Sequence, residues 1–105
     1  MPSLRRPRAI RPGARIAIAA PAGPVDPERL ETGRRALERL GFETVVRDDV
    51  LARDGYLAGT DERRADELMR FVTDPEVDAI VCARGGYGCA RIVERLDADA
   101  FRQAA

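Results

Sequence analysis

The chain has 105 residues, of which 45% are apolar and 34% are charged, and its formal net charge is zero. This length and balance predict one small globular domain rather than a disordered segment, and a net charge of zero gives no overall attraction to nucleic acid or to an anionic membrane. His is absent, so these residues alone cannot build a Ser-His or Cys-His catalytic pair.

Residues 1–13 are predicted to be an irregular lead-in, because Pro7, Pro12 and Gly13 favour turns. The lead-in has no apolar h-region and is therefore predicted not to be a secretory signal, and no apolar stretch is long enough for a transmembrane helix. A cytoplasmic location is the resulting expectation. Four arginines of the lead-in are expected to be solvated rather than bound to an anion: Arg5, Arg6, Arg8 and Arg11. All 18 basic residues of the chain are Arg, which we attribute to codon bias.

The first part of residues 14–105, the predicted domain, has the pattern strand, helix, strand. A mostly apolar run over residues 15–20 predicts a short buried strand that ends at Pro21. Asp26 followed by Pro27 is a typical start of a helix, and Gly41 is a typical stop. Residues 42–46 are predicted to be the second strand. The apolar face of the helix between them is predicted to be Leu30, Gly33, Leu37 and Leu40.

The second part repeats the alternation. After a loop over residues 47–59, Thr60 is the predicted N-cap of a second helix. Residues 79–83 are the predicted third strand, and residues 97–105 are predicted to form a last short helical turn. The apolar face of the second helix is predicted to be Ala65, Leu68, Met69 and Val72. A third helix is predicted to present Cys89, Ile92, Val93 and Leu96 on one face.

Three alternations of strand and helix predict an α/β fold, an open parallel sheet with helices on both faces. Ligands of such sheets bind at the carboxyl ends of the strands, where three segments meet. We name these the first loop (residues 21–25), the second loop (residues 47–59) and the glycine turn (residues 84–88). If the first strand is central, the first loop and the glycine turn flank the ligand crevice.

The glycine turn, Arg84-Gly85-Gly86-Tyr87-Gly88, is the segment whose composition points most directly to chemistry. It joins a buried strand to a helix, so its backbone N–H groups could receive negative charge on a ligand or intermediate. The alternative is that the glycines only make a tight turn, and spacing alone favours neither interpretation. The chain contains neither the phosphate-loop nor the dinucleotide-binding glycine motif.

Other reactive or charged residues have simpler interpretations. Cys82 and Cys89 show no metal-ligand spacing, and both are predicted to be core residues, although the helix-end position of Cys89 also suits a nucleophile. Arg34-Arg35 and the cluster 61–64 are predicted to lie on solvated helix faces.

Several motifs in the same order resemble the LD-carboxypeptidase family, which includes the microcin-immunity peptidases. They are Pro12-Gly13, residues 16–24, the segment Ala58-Gly59-Thr60-Asp61-Glu62-Arg63, residues 66–68 and 74–77, and the run from Ala79 to Gly88. The resemblance extends from about Pro12 to Phe101. It implies a flavodoxin-like or class I glutamine amidotransferase-like sheet, truncated here after about three strands.

The resemblance also implies a function. Members of the family are serine peptidases that cleave between an L- and a D-residue of murein peptides in cell-wall recycling. They are cytoplasmic, often homodimeric, and use no metal or other cofactor. Their catalytic Ser, Glu and His have no counterparts in these 105 residues. Gly86 is implied to contribute one backbone N–H to the oxyanion hole. The implied substrate-pocket residues are Pro21, Arg84, Gly85, Tyr87 and Gly88.

Three interpretations of the chain therefore remain open. The first is the N-terminal portion of an LD-carboxypeptidase that is inactive without its C-terminal catalytic domain. The second is a non-catalytic module, or truncated pseudo-enzyme, that binds an anion or peptide at the glycine turn. The third is a structural partner that completes its sheet against another chain.

Overall fold

The fold is built on three parallel strands, seen in a computed structural model that describes residues 6–104. The strands are β1 (Arg15–Ala19), β2 (Glu43–Val45) and β3 (Ala79–Cys82), in the order β2-β1-β3. Ile16 of the central strand lies opposite Thr44 on one side and Ala79 on the other. The predicted parallel sheet is confirmed, and its first strand is the central one.

Two helices of 13 residues connect the strands: α1 (Pro27–Arg39) and α2 (Asp61–Thr73). Both predicted N-caps are confirmed. The Asp26 carboxylate accepts the Glu28 N–H at 3.4 Å, and the Thr60 hydroxyl accepts the Arg63 N–H at 3.1 Å. β2 is shorter than predicted because the Phe42 N–H donates to the Leu37 carbonyl, which finishes the exit from α1 instead of extending the strand.

The two helices cover opposite faces of the sheet. Ala17 and Ala19 of β1 pack in one apolar cluster with Phe71 of α2. Ala20, the next residue along the chain, places its side chain on the opposite face of the sheet. It belongs to a second apolar cluster that includes Leu30 of α1. α1 and α2 therefore lie on opposite faces of the sheet, as the predicted fold class requires. Within residues 6–104, no helix is long and apolar enough to cross a membrane.

The third helix is shorter than predicted. After the four residues of α3 (Cys89–Ile92), the chain tightens into a 3-10 turn (Val93–Arg95), which ends where Leu96 adopts an extended conformation. The predicted last short helical turn over residues 97–105 is confirmed within the described residues as α4 (Ala98–Ala104), which starts where the Asp97 carboxylate accepts the Asp99 N–H at 2.9 Å. Only Ile92 of the predicted apolar face is buried, and Val93 is 59% exposed.

Three other burial predictions are wrong. Cys82 and Cys89 are exposed rather than in the core, because β3 is an edge strand and Cys89 lies at the outer start of α3. The apolar face of α1 is only half-buried at Leu30 and Leu37, and Leu40, the C-cap, is 69% exposed.

The predicted exposure of the lead-in arginines is confirmed for Arg6, Arg8 and Arg11, while Arg5 and Ala105 lie outside the described residues.

Candidate functional site

The first loop, the second loop and the glycine turn meet at the carboxyl edge of the sheet. The Ala58 N–H donates to the Ala22 carbonyl at 2.8 Å, which joins the second loop to the first. Arg84 reaches from the glycine turn to the first loop, where its guanidinium donates to the Pro24 carbonyl at 3.3 Å. This guanidinium lies so close to Gly23 that a Cβ there would be 2.9 Å from the Arg84 Nε.

The three glycines of the glycine turn differ in the structural constraint that favours glycine at each position. Gly86 and Gly88 have φ angles of +127° and +123°, which L side chains rarely adopt. A Cβ at Gly88 would also lie 2.6 Å from the Leu57 Cδ2, whereas a Cβ at Gly86 would meet nothing within 4 Å. Gly85 has neither constraint. The backbone geometry thus accounts for Gly88 by packing, but leaves open space beside Gly86.

The N–H of Gly86 is an unpaired donor. Among residues 6–104, no carbonyl or side chain accepts the Gly86 N–H, and Gly86 is exposed. Tyr87 beside it is 88% exposed, so its ring is available to a molecule that approaches the turn. The arrangement offers a hydrogen bond to an incoming oxygen without any change in the fold.

The base of this edge is formed by charged residues of α2. Arg64 is fully buried, and its guanidinium donates to the Pro21 carbonyl at 2.9 Å, to the Gly88 carbonyl at 2.8 Å and to the Gly59 carbonyl at 3.4 Å. A close ion pair with Asp61 completes its contacts. Arg64 therefore contacts all three strand-end segments.

Arg63 and Glu67 form a second buried pair, in which the guanidinium and carboxylate are 2.9 Å apart. The Glu67 carboxylate accepts the Ala20 N–H at 2.6 Å, and Arg63 donates to the Ala20 and Ala58 carbonyls. Burial raises the pKa of the Glu67 carboxyl, although the Ala20 N–H and the charge of Arg63 act in the opposite direction. The pair satisfies both backbone groups of Ala20, where β1 has ended.

The prediction that the cluster 61–64 lies on a solvated face is therefore wrong for Arg63 and Arg64. A signal for it exists in the sequence. Arg64, Glu67, Leu68 and Phe71 follow the spacing of one helix face, and Phe71 is buried. Including Phe71 in the predicted apolar face would have placed Arg64 and Glu67 on the same buried side.

Cys82 does not offer an activated thiol at this edge. The protein around the Cys82 sulfur desolvates it enough to raise the pKa of the thiol, and the nearby Cys89 and Glu67 act in the same direction. A raised pKa is the opposite of what a cysteine nucleophile needs. In the part of the chain that the structure describes, no group of three acidic, Cys or His side chains is placed to hold a metal ion.

A surface cavity of about 550 Å³ lies between the second loop, the start of α2 and the segment after the glycine turn, and Asp54, Asp61 and Arg91 are among its lining residues. None of residues 84–88 lines this cavity.

Known proteins resemble this chain in sequence and in fold. A Streptomyces coelicolor protein, provisionally named a carboxypeptidase, is 48% identical over 107 residues, which is 99% of this chain and 34% of that protein. The murein tetrapeptide carboxypeptidase of Pseudomonas aeruginosa is 40% identical over 83 residues, 79% of this chain and 27% of that protein.

Solved structures agree. The muramoyltetrapeptide carboxypeptidase of Oxalobacter formigenes superimposes with a TM-score of 0.79 at 31% identity, covering 87% of this chain and 30% of that one. The microcin C7 self-immunity protein MccF, in its wild-type apo state, gives a TM-score of 0.81 at 29% identity, covering 94% and 30%. The chain spans about a third of the length of the relatives that it matches.

The family model described as the LD-carboxypeptidase N-terminal domain matches residues 16–105, which include β1 from its second residue, all of β2 and β3, the two covering helices and the glycine turn. The predicted resemblance is confirmed, and the chain belongs to the LD-carboxypeptidase N-terminal domain family.

Proposed function

We propose that this chain is the N-terminal portion of a serine-type carboxypeptidase that hydrolyses the L,D-peptide bond of murein tetrapeptides and releases D-alanine. Family membership and the name of the Pseudomonas aeruginosa relative support the reaction class. The observation that carries the proposal is the exposed Gly86 N–H, which has no acceptor among residues 6–104 and lies where the strands end.

In such a reaction, the carbonyl oxygen of the scissile bond gains negative charge as the tetrahedral intermediate forms. A donor about 2.7–3.1 Å from that oxygen stabilises the charge, and loss of one donor costs about 2.7–4 kcal/mol. The Gly86 N–H supplies one such hydrogen bond in our proposal. The nucleophilic Ser, the Glu, the His and the second donor come from outside these 105 residues, which contain no His.

The residues around Gly86 are proposed to form one side of the substrate pocket. Pro21, Gly85 and Gly88 supply backbone, and Arg84 and Tyr87 supply side chains. The contact between Arg84 and Pro24 supports this, because it holds the first loop against the glycine turn. A Cβ at Gly86 would meet nothing within 4 Å, so this part of the turn has room for a substrate.

We propose that the whole enzyme is a cytoplasmic homodimer that acts in murein recycling, without a metal or other cofactor. The family resemblance supports this placement. A net charge of zero supports the view that neither nucleic acid nor a membrane surface is a partner.

A chimera tests the reaction. This chain replaces the matching N-terminal segment of the Pseudomonas aeruginosa murein tetrapeptide carboxypeptidase, and release of D-alanine from murein tetrapeptide is measured. We expect the chimera to be active and the 105-residue chain alone to be inactive. A folded chimera that releases no D-alanine would contradict the proposed function.

Gly86→Ala in the chimera tests the donor. We expect kcat/KM to fall about 100- to 1000-fold, because the new side chain strains the turn and projects into the crevice. Gly41→Ala is the matched control. Gly41 also has a positive φ, +96°, and its added Cβ would make only an ordinary contact, 3.9 Å from the Pro12 Cβ. Equal losses in the two variants would show that strain, and not the site, causes the effect.

A second candidate function is a binding module, which the exposed Gly86 N–H favours because it needs no nucleophile. Calorimetric titration of the 105-residue chain with inorganic phosphate and with murein tetrapeptide tests it. Saturable binding that Gly86→Val abolishes would support the module. A folded chain that binds neither molecule would contradict it.

A further inference from the structure

Arg64 links the two segments that flank the proposed crevice. Its Nη1 atom lies 2.9 Å from the Pro21 carbonyl oxygen and 2.8 Å from the Gly88 carbonyl oxygen, so one nitrogen joins the first loop to the glycine turn. The Nε of the same side chain reaches the Gly59 carbonyl in the second loop at 3.4 Å. The whole arrangement is enclosed, because no part of Arg64 is exposed.

The chemistry of this contact suits a guanidinium and not an ammonium. A guanidinium directs five N–H donors in a fixed plane, so it can serve several carbonyls and a carboxylate at once. The Asp61 carboxylate, which also pairs with Arg91 at 3.3 Å, neutralises the charge and holds the other end of the fork. Without Arg64, the carbonyls of Pro21 and Gly88 would lack this hydrogen-bond donor, because water cannot enter the fully buried position of the guanidinium.

We propose that Arg64 is a positioning residue that sets the location of the glycine turn relative to the first loop, and therefore the location of the Gly86 N–H. Gly88 is part of the same contact, since a Cβ there would lie 3.0 Å from the Arg64 Nη1. The link between the loops stands on the geometry alone. Its catalytic consequence rests on the proposed function of Gly86.

The neighbouring Arg63 provides an internal comparison. It is nearly as buried as Arg64 and also donates to strand-end carbonyls, but those carbonyls belong to Ala20 and Ala58. Arg63 thus holds the end of β1 and the second loop and makes no hydrogen bond or ion pair with the glycine turn. Replacing each arginine in turn separates the loss of a buried guanidinium from the loss of the link to the glycine turn.

The first test is nuclear magnetic resonance of the isotopically labelled 105-residue chain with Arg64→Lys. We expect the amide signals of Gly85, Gly86 and Tyr87 to shift or broaden, and their hydrogen exchange to accelerate. Arg63→Lys should instead move the signals of Ala20 and Ala58. Arg70→Lys, an exposed position on α2, should move neither set. Unchanged glycine-turn signals in folded Arg64→Lys would overturn the proposal.

The second test measures kinetics in the chimera. Arg64→Lys should lower kcat by up to about 100-fold with little change in KM, because a donor displaced by about 1 Å no longer meets the developing charge. Arg63→Lys should lower kcat much less at a comparable loss of thermal stability. If the unsubstituted chimera is inactive, the proposed function fails, but the amide signals still decide whether Arg64 sets the glycine turn.

Asp61→Asn gives a milder variant in case Arg64→Lys does not fold. It keeps Arg64 and removes the charge that orients the guanidinium, so the same glycine-turn signals should move in the same direction by a smaller amount. Asp99→Asn, which removes the carboxylate that pairs with Arg102 on α4, is the matched carboxylate control. Signals that respond equally to Asp61→Asn and Asp99→Asn would count against the proposal.

Discussion

The two covering helices have the same length but differ in how many of their residues are buried. α1 and α2 each contain 13 residues, begin at a side-chain cap and carry an acidic residue in the first turn. No residue of α1 is buried, whereas α2 buries Arg64, Ala65, Glu67 and Phe71. Two of these four are charged, so the better-buried helix is also the one with ionic groups inside.

The difference follows from what each helix faces. α1 covers β2, a three-residue edge strand that offers little apolar surface. α2 crosses the centre of the sheet, so Phe71 reaches Ala17 and Ala19, while its first turns lie beneath the strand-end loops. Buried loop carbonyls require donors, and Arg63 and Arg64 provide them. A helix under the ends of parallel strands thus has both an apolar end and a polar end.

The largest expected difference between the helices is at their apolar residues. Phe71→Ala should lower the free energy of unfolding by about 3–5 kcal/mol, because it opens a cavity against the central strand. Leu40→Ala at the end of α1 should change it by less than about 0.5 kcal/mol, since Leu40 is mostly exposed. Urea unfolding followed by circular dichroism measures both. A similar cost at the two positions would mean that α1 is packed as well as α2.

The next largest difference is at the ion pairs. Glu67→Ala should cost about 3 kcal/mol, because it leaves Arg63 and the Ala20 N–H without their buried acceptor. Glu31→Ala, which breaks the exposed pair with Arg35 on α1, should cost less than about 1 kcal/mol.

Glu67→Gln refines this comparison under the same denaturant titration. Its amide oxygen can still accept the Ala20 N–H, and the change removes a charge whose burial is unfavourable. We expect it to lie within about 1 kcal/mol of the unmodified chain at pH 7. A loss as large as that of Glu67→Ala would show that the charge itself, and not the hydrogen bond, is required.

The smallest expected effect is on the pH dependence of stability. The pKa of Glu67 is raised by burial, so between its ordinary value of 4.5 and its value in the folded state the folded chain holds the extra proton. The contribution of Glu67 is therefore largest below pH 4.5 and declines as the pH rises through the raised pKa, with a slope no steeper than about 1.4 kcal/mol per pH unit. Asp66 has a lowered pKa, held down mainly by hydrogen bonds from Arg47 and Arg70, and acts in the opposite sense as the pH falls below its ordinary value of 3.8.

Denaturant titrations at a series of pH values, with Glu67→Gln as the reference, isolate this effect. The difference in stability between the unmodified chain and Glu67→Gln should become less favourable to the unmodified chain as the pH rises above 4.5. A difference that grows in favour of the unmodified chain over that range would mean that Arg63 outweighs burial at this carboxyl.

Much of the fold could be predicted because its signals are local. The strand run that begins at Arg15, the caps at Asp26 and Thr60, and the helix stop at Gly41 each depend on residues within a few positions. The glycine turn was also located correctly at the end of β3. Its proposed role in catalysis depended on a family resemblance, because glycine spacing alone does not distinguish a donor from a tight turn.

The remaining features depend on contacts between distant segments. Arg64 is buried because Pro21 and Gly88, 43 and 24 positions away, turn their carbonyls toward it. The exposure of Cys82 depends on β3 being at the edge of the sheet, which strand order decides and an apolar run does not. The third helix is short because only Ile92 of its predicted apolar face is buried, so little tertiary packing supports a longer α-helix.

The forked contact of Arg64 bears on why the basic residues of this chain are all Arg and none is Lys. A total preference for Arg over Lys is neutral at exposed positions such as Arg35 and Arg70, where either cation would serve the nearby carboxylate. At position 64 the two are not interchangeable, because one ammonium cannot span two loops and a carboxylate. If the base composition of the genome drifted toward Lys codons, exposed arginines would be free to follow, and this buried one would be retained by its geometry.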